Sequence, residues 1–436
     1  MGQIWDSKDI IVSMKTLLAL LLLIPSLSWG LTFKDGKQVD DKNSINSLLI
    51  EINENDLRVP KNYYTNDELT IFQSCPAYGD TVFSSNLTKK NLEGFVGYDW
   101  ASDWEKNSNS LNVYHQRITG PIKDLLIATH NAVSNEDQIN ISLAKEFAVK
   151  IAQADTLYDS IGYEAVKKKP GCYANGDINA PCWYHQYSFA REVFGNFIIA
   201  AVWLKPHFSE SEFEIVNKYI KKMYLKFIQP AENNISERGF YAMANGGLNI
   251  LAYANWTEDK KLAEREISLR FQEIDTLFYE DGYINNNSFR GVRAQWYHSY
   301  GLNPALAYVF IAKLWGVKVP DQIMNKLIKA SELVNLAILD RESFLNRKFE
   351  GKNNNITTDP SKAIWHTHQH AIAINTLMRL VTEVEMAKDT MWDAKRARVG
   401  IDETIGFNPQ CLSCKPSKKP VVKKGTNTAE MKEVCE

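Results

Sequence analysis

The chain has 436 residues, of which 44% are hydrophobic and 23% charged, and a formal net charge of -2. That is apolar material for one large domain or two ordinary ones, in a composition typical of globular chains. So balanced a charge excludes a protein that is basic all over, so nucleic acid is not an expected partner and any polyanion must be held by a local cluster of cations.

Near the start, Met14 and Lys15 precede the apolar run Leu17 to Ile24, then Pro25 and the small-residue pattern around Ser28, Trp29 and Gly30. These are the three parts of a secretory signal peptide, with cleavage expected after Gly30, and the run is too short for a permanent membrane anchor. Residues 1 to 13 carry Asp6, Lys8 and Asp9, which fit no signal n-region, so Met14 is the expected initiator. The mature chain is expected to be periplasmic or secreted, off the membrane after signal removal, and monomeric.

Residues 31 to 116, richer in Asn, Asp and Ser, are expected to wrap the body as loops and short helices. From 117 to 400 the pattern is helix after helix. Phe213, Val216, Ile220, Met223 and Phe227 recur at three- and four-residue spacing behind the acidic start Glu210, Glu212, Glu214, with Ser209 or Ser211 as the cap. Similar stretches fall at roughly 120–133, 143–168, 187–203, 246–254, 259–277, 301–315, 321–339 and 367–388. No period-two segment is comparably strong. Many antiparallel helix pairs in one domain predict an all-α fold, an (α/α) toroid whose inner layer leaves a cleft at one end; the lack of a fixed repeat counts against a solenoid. Residues 405 to 436 read as a basic, Cys-containing, disordered tail.

An exported chain with six cysteines can form disulfides. Cys172 and Cys182 bracket a short Gly/Asn/Pro loop and are the expected pair, leaving Cys75, Cys411, Cys414 and Cys435 to tie the tail to the body. Cys411 and Cys414 also have zinc spacing, but no second Cys or His pair lies close by, so no metal is expected there.

The densest chemistry lies in the eleven residues from Arg290 to Tyr300, which hold Arg290, Arg293, Trp296, Tyr297, His298 and Tyr300. On a helix Arg293, Trp296, Tyr297 and Tyr300 share one face. Breaking an acidic sugar polymer by β-elimination needs such a mixture: cations for a carboxylate, a phenol or imidazole to move protons, and aromatic faces for sugar rings. The plainer alternative is an amphipathic helix whose aromatics fill core and whose arginines pair with acids.

This run resembles the periplasmic alginate lyases, polysaccharide lyase family 5, whose members carry R-G-x-R-A-L-x-Y-H-x-Y before an apolar helix. Arg290, Gly291, Arg293, Ala294, Tyr297, His298 and Tyr300 agree, and Gln295 replaces the usual Leu. Cys75-Pro76 is similar to the family's Cys-Pro, and the likeness extends weakly over residues 70 to 390. The resemblance implies that Arg293 holds the substrate carboxylate and that Tyr300 transfers protons, with no cofactor. It also shows a departure. Where the family has N-N-H-x-x-W, this chain has Phe240, Tyr241 and Ala242 in place of the two asparagines and the histidine.

Three readings follow. Tyr241 supplies a phenol and Asn245, one turn on, the amide; or His298, or a histidine from His366, His368 and His370, enters the site; or the protein binds polyuronates without cleaving them. His366 and His370 would share a helix face at metal-ligand spacing, against structural or substrate-contacting roles. His185 lies among Trp183, Tyr184 and Tyr187, as a sugar-stacking lip or as packing. Asn287, in the run Asn285 to Ser288, is a candidate for sugar hydroxyls or an ordinary turn residue. Lys89-Lys90 and Lys167 to Lys169 are solvated clusters or local positive charge. A glycoside hydrolase would need two opposed carboxylates, with Asp155, Asp159, Glu164 and Asp281 as candidates.

Overall fold

The acidic turn and apolar stripe read after Phe208 become a capped helix: the Ser209 side chain accepts from the Glu212 amide while the Glu212 carboxylate accepts from the Ser209 amide. This reciprocal pairing satisfies two donors that a helix start leaves open. The structure is a computed structural model. It describes residues 33–34, 37–38, 86–100, 115–134, 136–160, 193–228, 248–285, 287–291, 293–347, 377–387, 416–422 and 429–435.

In chain order the named helices are α1 (Asn86–Phe95), α2 (Gly120–Ser134), α3 (Gln138–Gln153), α4 (Asn196–Leu204), α5 (Glu210–Met223), α6 (Leu248–Thr257), α7 (Lys260–Leu277), α8 (Ala294–Leu314), α9 (Asp321–Leu339) and α10 (Arg341–Leu345); residues 377–382 are also helical. The described body is all-α. Helix α2 packs on α3 and α4, α4 on α6, and α3 on α5; α6 packs on α7, α7 on α9, and α9 on α8. None of the described helices is long and apolar enough to cross a membrane.

Two kinds of helix result. Every residue of α4 is buried, as are those of α6 from Leu248 to Trp256 apart from Tyr253. In contrast α5 buries only Val216, Tyr219, Ile220 and Met223, one stripe with charged residues behind it. A helix apolar all round needs neighbours on every side, whereas a striped one needs a single neighbour and water. The contacts follow: α4 touches α2, α3 and α6, while α5 lies against α3.

The structure shortens two expected helices and lengthens another; the stretch expected over 367–388 is helical in its described part only to 382, where Glu383 takes a left-handed angle (φ 61). Helix α3 stops at Gln153, well before 168, because Asp155 and Leu157 take left-handed backbone angles (φ 44 and 67). Long-range bonds hold that turn: the Thr156 hydroxyl accepts from the Gly97 amide at 2.9 Å, and the Tyr219 hydroxyl donates to the Thr156 carbonyl at 2.7 Å. Helix α8 begins at Ala294, so the site motif and the apolar stretch from Leu302 are one helix. Two segments of the expected tail are strands. Strands β3 (Pro416–Val422) and β4 (Ala429–Cys435) pair antiparallel, with Lys418 opposite Glu433; the short β1 (Phe33–Lys34) and β2 (Lys37–Gln38) pair likewise. The expected signal segment and Cys75, Cys172, Cys182, Cys411 and Cys414 lie outside the described residues.

Candidate functional site

The site is built on the first two turns of α8 and the loop that precedes it. After α7 the chain reverses through Tyr279 to Gly282, where the Gly282 amide donates to the Tyr279 carbonyl and the Tyr279 amide to the Tyr283 carbonyl. Gly282 is required twice over. Its φ is +88, and a Cβ there would lie 2.4 Å from the Lys329 carbonyl carbon on α9. The loop therefore sits directly against α9 backbone, a contact that a side chain would prevent.

Aromatic stacking holds the loop's other side. Tyr283 stacks on Phe289 (5.6 Å, 22°) and on Phe344 of α10 (5.4 Å, 19°), and its hydroxyl donates to the Phe344 carbonyl at 2.8 Å. Burial raises the Tyr283 pKa, with Asp281 adding to the rise, so the phenol stays a neutral donor. Arg347 lies 5.6 to 5.9 Å from the rings of Tyr279, Tyr283 and Phe289 while its Nε donates to Asp281 at 2.7 Å. This closes a small second core beneath the start of α8.

The loop is then fastened to α8 residue by residue. Asn287, fully buried, donates from Nδ2 to the Tyr297 carbonyl at 2.9 Å. A Cβ on Gly301 would come within 2.6 Å of that Nδ2, so glycine at 301 is what lets the loop approach so closely. The Arg290 guanidinium sits 4.3 Å from the centre of the Tyr297 ring. Ser288 and His298 share a 2.7 Å hydrogen bond, and the His298 Nε2 lies 2.8 Å from the Ala330 carbonyl on α9.

His298 is 0% exposed, and burial lowers its pKa to about 4. With both ring nitrogens engaged and no exposed surface, it is placed as an anchor of the loop and not as a base open to a ligand. Asn287 is likewise engaged with the Tyr297 carbonyl beneath the turn, which turns its amide toward the protein and away from sugar hydroxyls.

Above these anchors lies the half-buried face of α8. Trp296 stacks on Tyr300 (5.6 Å, 25°) and meets Tyr297 edge-on (4.4 Å, 73°), while Tyr297 and Tyr300 are 6.3 Å apart at 82°. Arg293 is the N-cap. It is exposed, its side chain makes no cap hydrogen bond, and it takes part in no salt bridge among the described residues. No acidic residue lies in the first turn of α8. The positive end of the helix dipole thus coincides with a guanidinium that meets no acid among the described residues. Gln295, 5% exposed, adds a buried Nε2 with no partner among the described residues, a cost of about 1–3 kcal/mol that a bound acceptor would relieve. Pro304 removes the amide that would have bonded the Tyr300 carbonyl, loosening the helix at that turn.

The expected residues thus divide. Arg290, Arg293, Trp296, Tyr297 and Tyr300 are together on one helix end, with His298 and Asn287 beneath them. Tyr241, Asn245, His185 and His366 lie outside the described residues, as does Glu164. Of the hydrolase candidates, Asp155, Asp159 and Asp281 are paired with Lys222, Lys226 and Arg347, respectively, on exposed surface. Among the described residues no cluster of His, Cys, Asp or Glu could hold a metal ion.

The sequence reading missed three features. Ser288 was not distinguished from its asparagine neighbours, and Phe344 and Arg347 lie too far along the chain to be linked with Phe289. On α7, Glu266, Arg270 and Glu273 are all buried, with Arg270 Nε 2.9 Å from Glu266 and Nη1 2.6 Å from Glu273. Their spacing puts them on one stripe, a signal that also fits a solvated face. No family model matches the chain, and no curated protein matches it either.

Proposed function

We propose that the protein is a polysaccharide lyase that cleaves an anionic uronate polymer, such as polymannuronate, by β-elimination. The observation that carries this reading is an exposed Arg293, in no salt bridge among the described residues, at the start of α8 with Tyr300 two turns along the same face, beside the half-buried rings of Trp296 and Tyr297. By helical rise, Arg293 and Tyr300 stand about 10 Å apart along the axis, within the combined reach of their long side chains.

Abstraction of the C5 proton of a uronate is slow because the carbanion forms next to a carboxylate that is already negative. Arg293 grips that carboxylate with its planar fork and, together with the N-terminal end of α8, disperses the charge that develops on it. Tyr300 takes the C5 proton or gives one to the departing glycosidic oxygen, a contribution of about 10²- to 10⁴-fold. Trp296 offers an apolar face for a sugar ring, and Arg290, held on Tyr297, adds a second cation near the chain's charge. Tyr241 and Asn245 remain the candidates for the phenol and amide that replace the missing Asn-Asn-His run. The surrounding ring of helices, closed as an (α/α) toroid, and a periplasmic or secreted location belong to the same proposal.

A second reading has specific support. The absence of the family's histidine at Ala242 favours a protein that holds polyuronates without turning them over. One assay separates the two. Purified mature chain is incubated with mannuronate-rich, guluronate-rich and glucuronate polymers, and the ultraviolet absorbance of the unsaturated ends is followed. Rising absorbance supports elimination, reducing ends without it mean hydrolysis, and binding without either product supports the second reading.

A further inference from the structure

We infer that Ser288 is a positioning residue, whose hydroxyl fixes the ring of His298 and through it the turn that presents Arg290 and Arg293. The inference rests on the elimination reading for its kinetics, though not for its hydrogen bonds.

The direction of every bond in the chain from loop to helix is determined. The Ala330 carbonyl can only accept, so His298 carries its proton on Nε2 and donates it there at 2.8 Å. In that neutral tautomer Nδ1 can only accept, and the partner 2.7 Å away is the Ser288 hydroxyl, which must therefore donate. The same oxygen accepts from the Ile284 amide at 2.7 Å. While the ring is neutral, loop backbone, Ser288, His298 and α9 backbone thus form one line with a single arrangement of protons. A neutral imidazole held by what its other nitrogen bonds is a common way of fixing ring orientation.

The line is well placed to act on the arginines. Ser288 is 3% exposed and lies two residues before Arg290. The turn between them and α8 is short and internally bonded, the Arg293 amide donating to the Arg290 carbonyl at 3.1 Å and the Ala294 amide to that of Gly291 at 2.9 Å. A shift at Ser288 has little slack in which to dissipate before it reaches the guanidiniums. On its other side Phe289 is fixed by Tyr283, and His298 meets Phe344 edge-on at 5.6 Å. Loss of the hydroxyl would leave the Ile284 amide and His298 Nδ1 without partners in a site closed to water. The arginine turn would then be the part able to move.

The test compares the full-length wild type with Ser288→Ala and Ser288→Thr on polymannuronate, alongside nitrogen NMR of histidine-labelled protein. Wild-type His298 should show the neutral Nε2-protonated form. Ser288→Ala should lower kcat by about ten- to a hundredfold, as small misplacements of a catalytic group do, with KM within about threefold, and Ser288→Thr should restore most of kcat. A folded Ser288→Ala with unchanged kcat and KM overturns the role. So does a loss that merely tracks the unfolded fraction seen by circular dichroism, or a wild-type His298 protonated on Nδ1. If Ser288→Ala does not fold, Ser288→Cys, which keeps the size but donates weakly, takes its place with the same expected split. Should the wild type bind polymannuronate without cleaving it, affinity is the readout: about a tenfold weakening in the variant supports the role, and no change overturns it. A wild type that neither binds nor cleaves sinks the elimination reading and this role with it, whereas an active wild type with an indifferent Ser288→Ala sinks the role alone.

Discussion

Helix α8 has two halves with opposite solutions to the same problem. From Leu302 to Val309 every residue is buried, including Tyr308 at 0% exposure. From Ala294 to Tyr300 the large rings of Trp296, Tyr297 and Tyr300 are only half-buried, although the residues between them, His298 and Ser299, are fully inside. Aromatics of this size normally gain about 1.5–3 kcal/mol from full burial. Leaving three together only half-buried, near an Arg293 that meets no acid among the described residues, forgoes part of that stabilisation at the end of the helix to which the loop is bonded. The difference separates a half buried all round in the core from a half whose large rings stay partly exposed over a tightly bonded loop, the half on which the proposed substrate contact rests.

The largest effect should come from the contact half. Tyr300→Phe is expected to reduce turnover by about 10²- to 10⁴-fold while polymer binding measured by calorimetry changes little; a fully active variant would erase the distinction between the halves. Leu306→Ala, in the buried half, should show the reverse: about 2–5 kcal/mol lost in denaturant unfolding, with kcat per folded molecule unchanged.

Acid should loosen the junction between the halves. His298 has its pKa lowered from 6.5 to about 4 by burial, so the unfolded chain takes up its proton at a higher pH than the folded one. Its stabilising effect is complete above pH 6.5 and is lost as the pH falls toward 4, to about 3 kcal/mol at the limit. Unfolding midpoints measured across that window in the wild type and in a His298→Gln variant should converge at the acid end, and parallel curves would count against it. The smallest effect is expected from Arg290→Ala, which removes the contact with Tyr297 and should cost about 0.5–1 kcal/mol of stability at low salt. A stability loss several times larger would mean that Arg290 belongs to the clamp.

The comparison also shows which parts of the site were legible beforehand. Arg293, Trp296, Tyr297 and Tyr300 could be placed on one face because helical spacing is local, and the capped start of α5 was readable for the same reason. His298 could not be assigned correctly from spacing. Its partners are Ser288, ten residues back, and the Ala330 carbonyl on another helix, and only those decide that an imidazole in the middle of the motif is an anchor. The end of α3 was misjudged because the bonds from Gly97 and Tyr219 that hold the turn at Thr156 span long stretches of chain.

Composition and periodicity by themselves determined an all-α body, the boundaries of α2, α5, α6, α7 and α9 to within about a turn, and the concentration of cations and rings between Arg290 and Tyr300. These follow from the 3.6-residue repeat and from side-chain chemistry, which act over a few neighbours. Which helices are buried all round was decided by the packing of α4 and α6 among α2, α3 and α7, and which glycines permit backbone contact and which polar groups of the motif face inward by the meeting of α8, α9, α10 and the loop before α8. Burial and hydrogen bonding depend on what lies across a contact, and that partner is set by the fold.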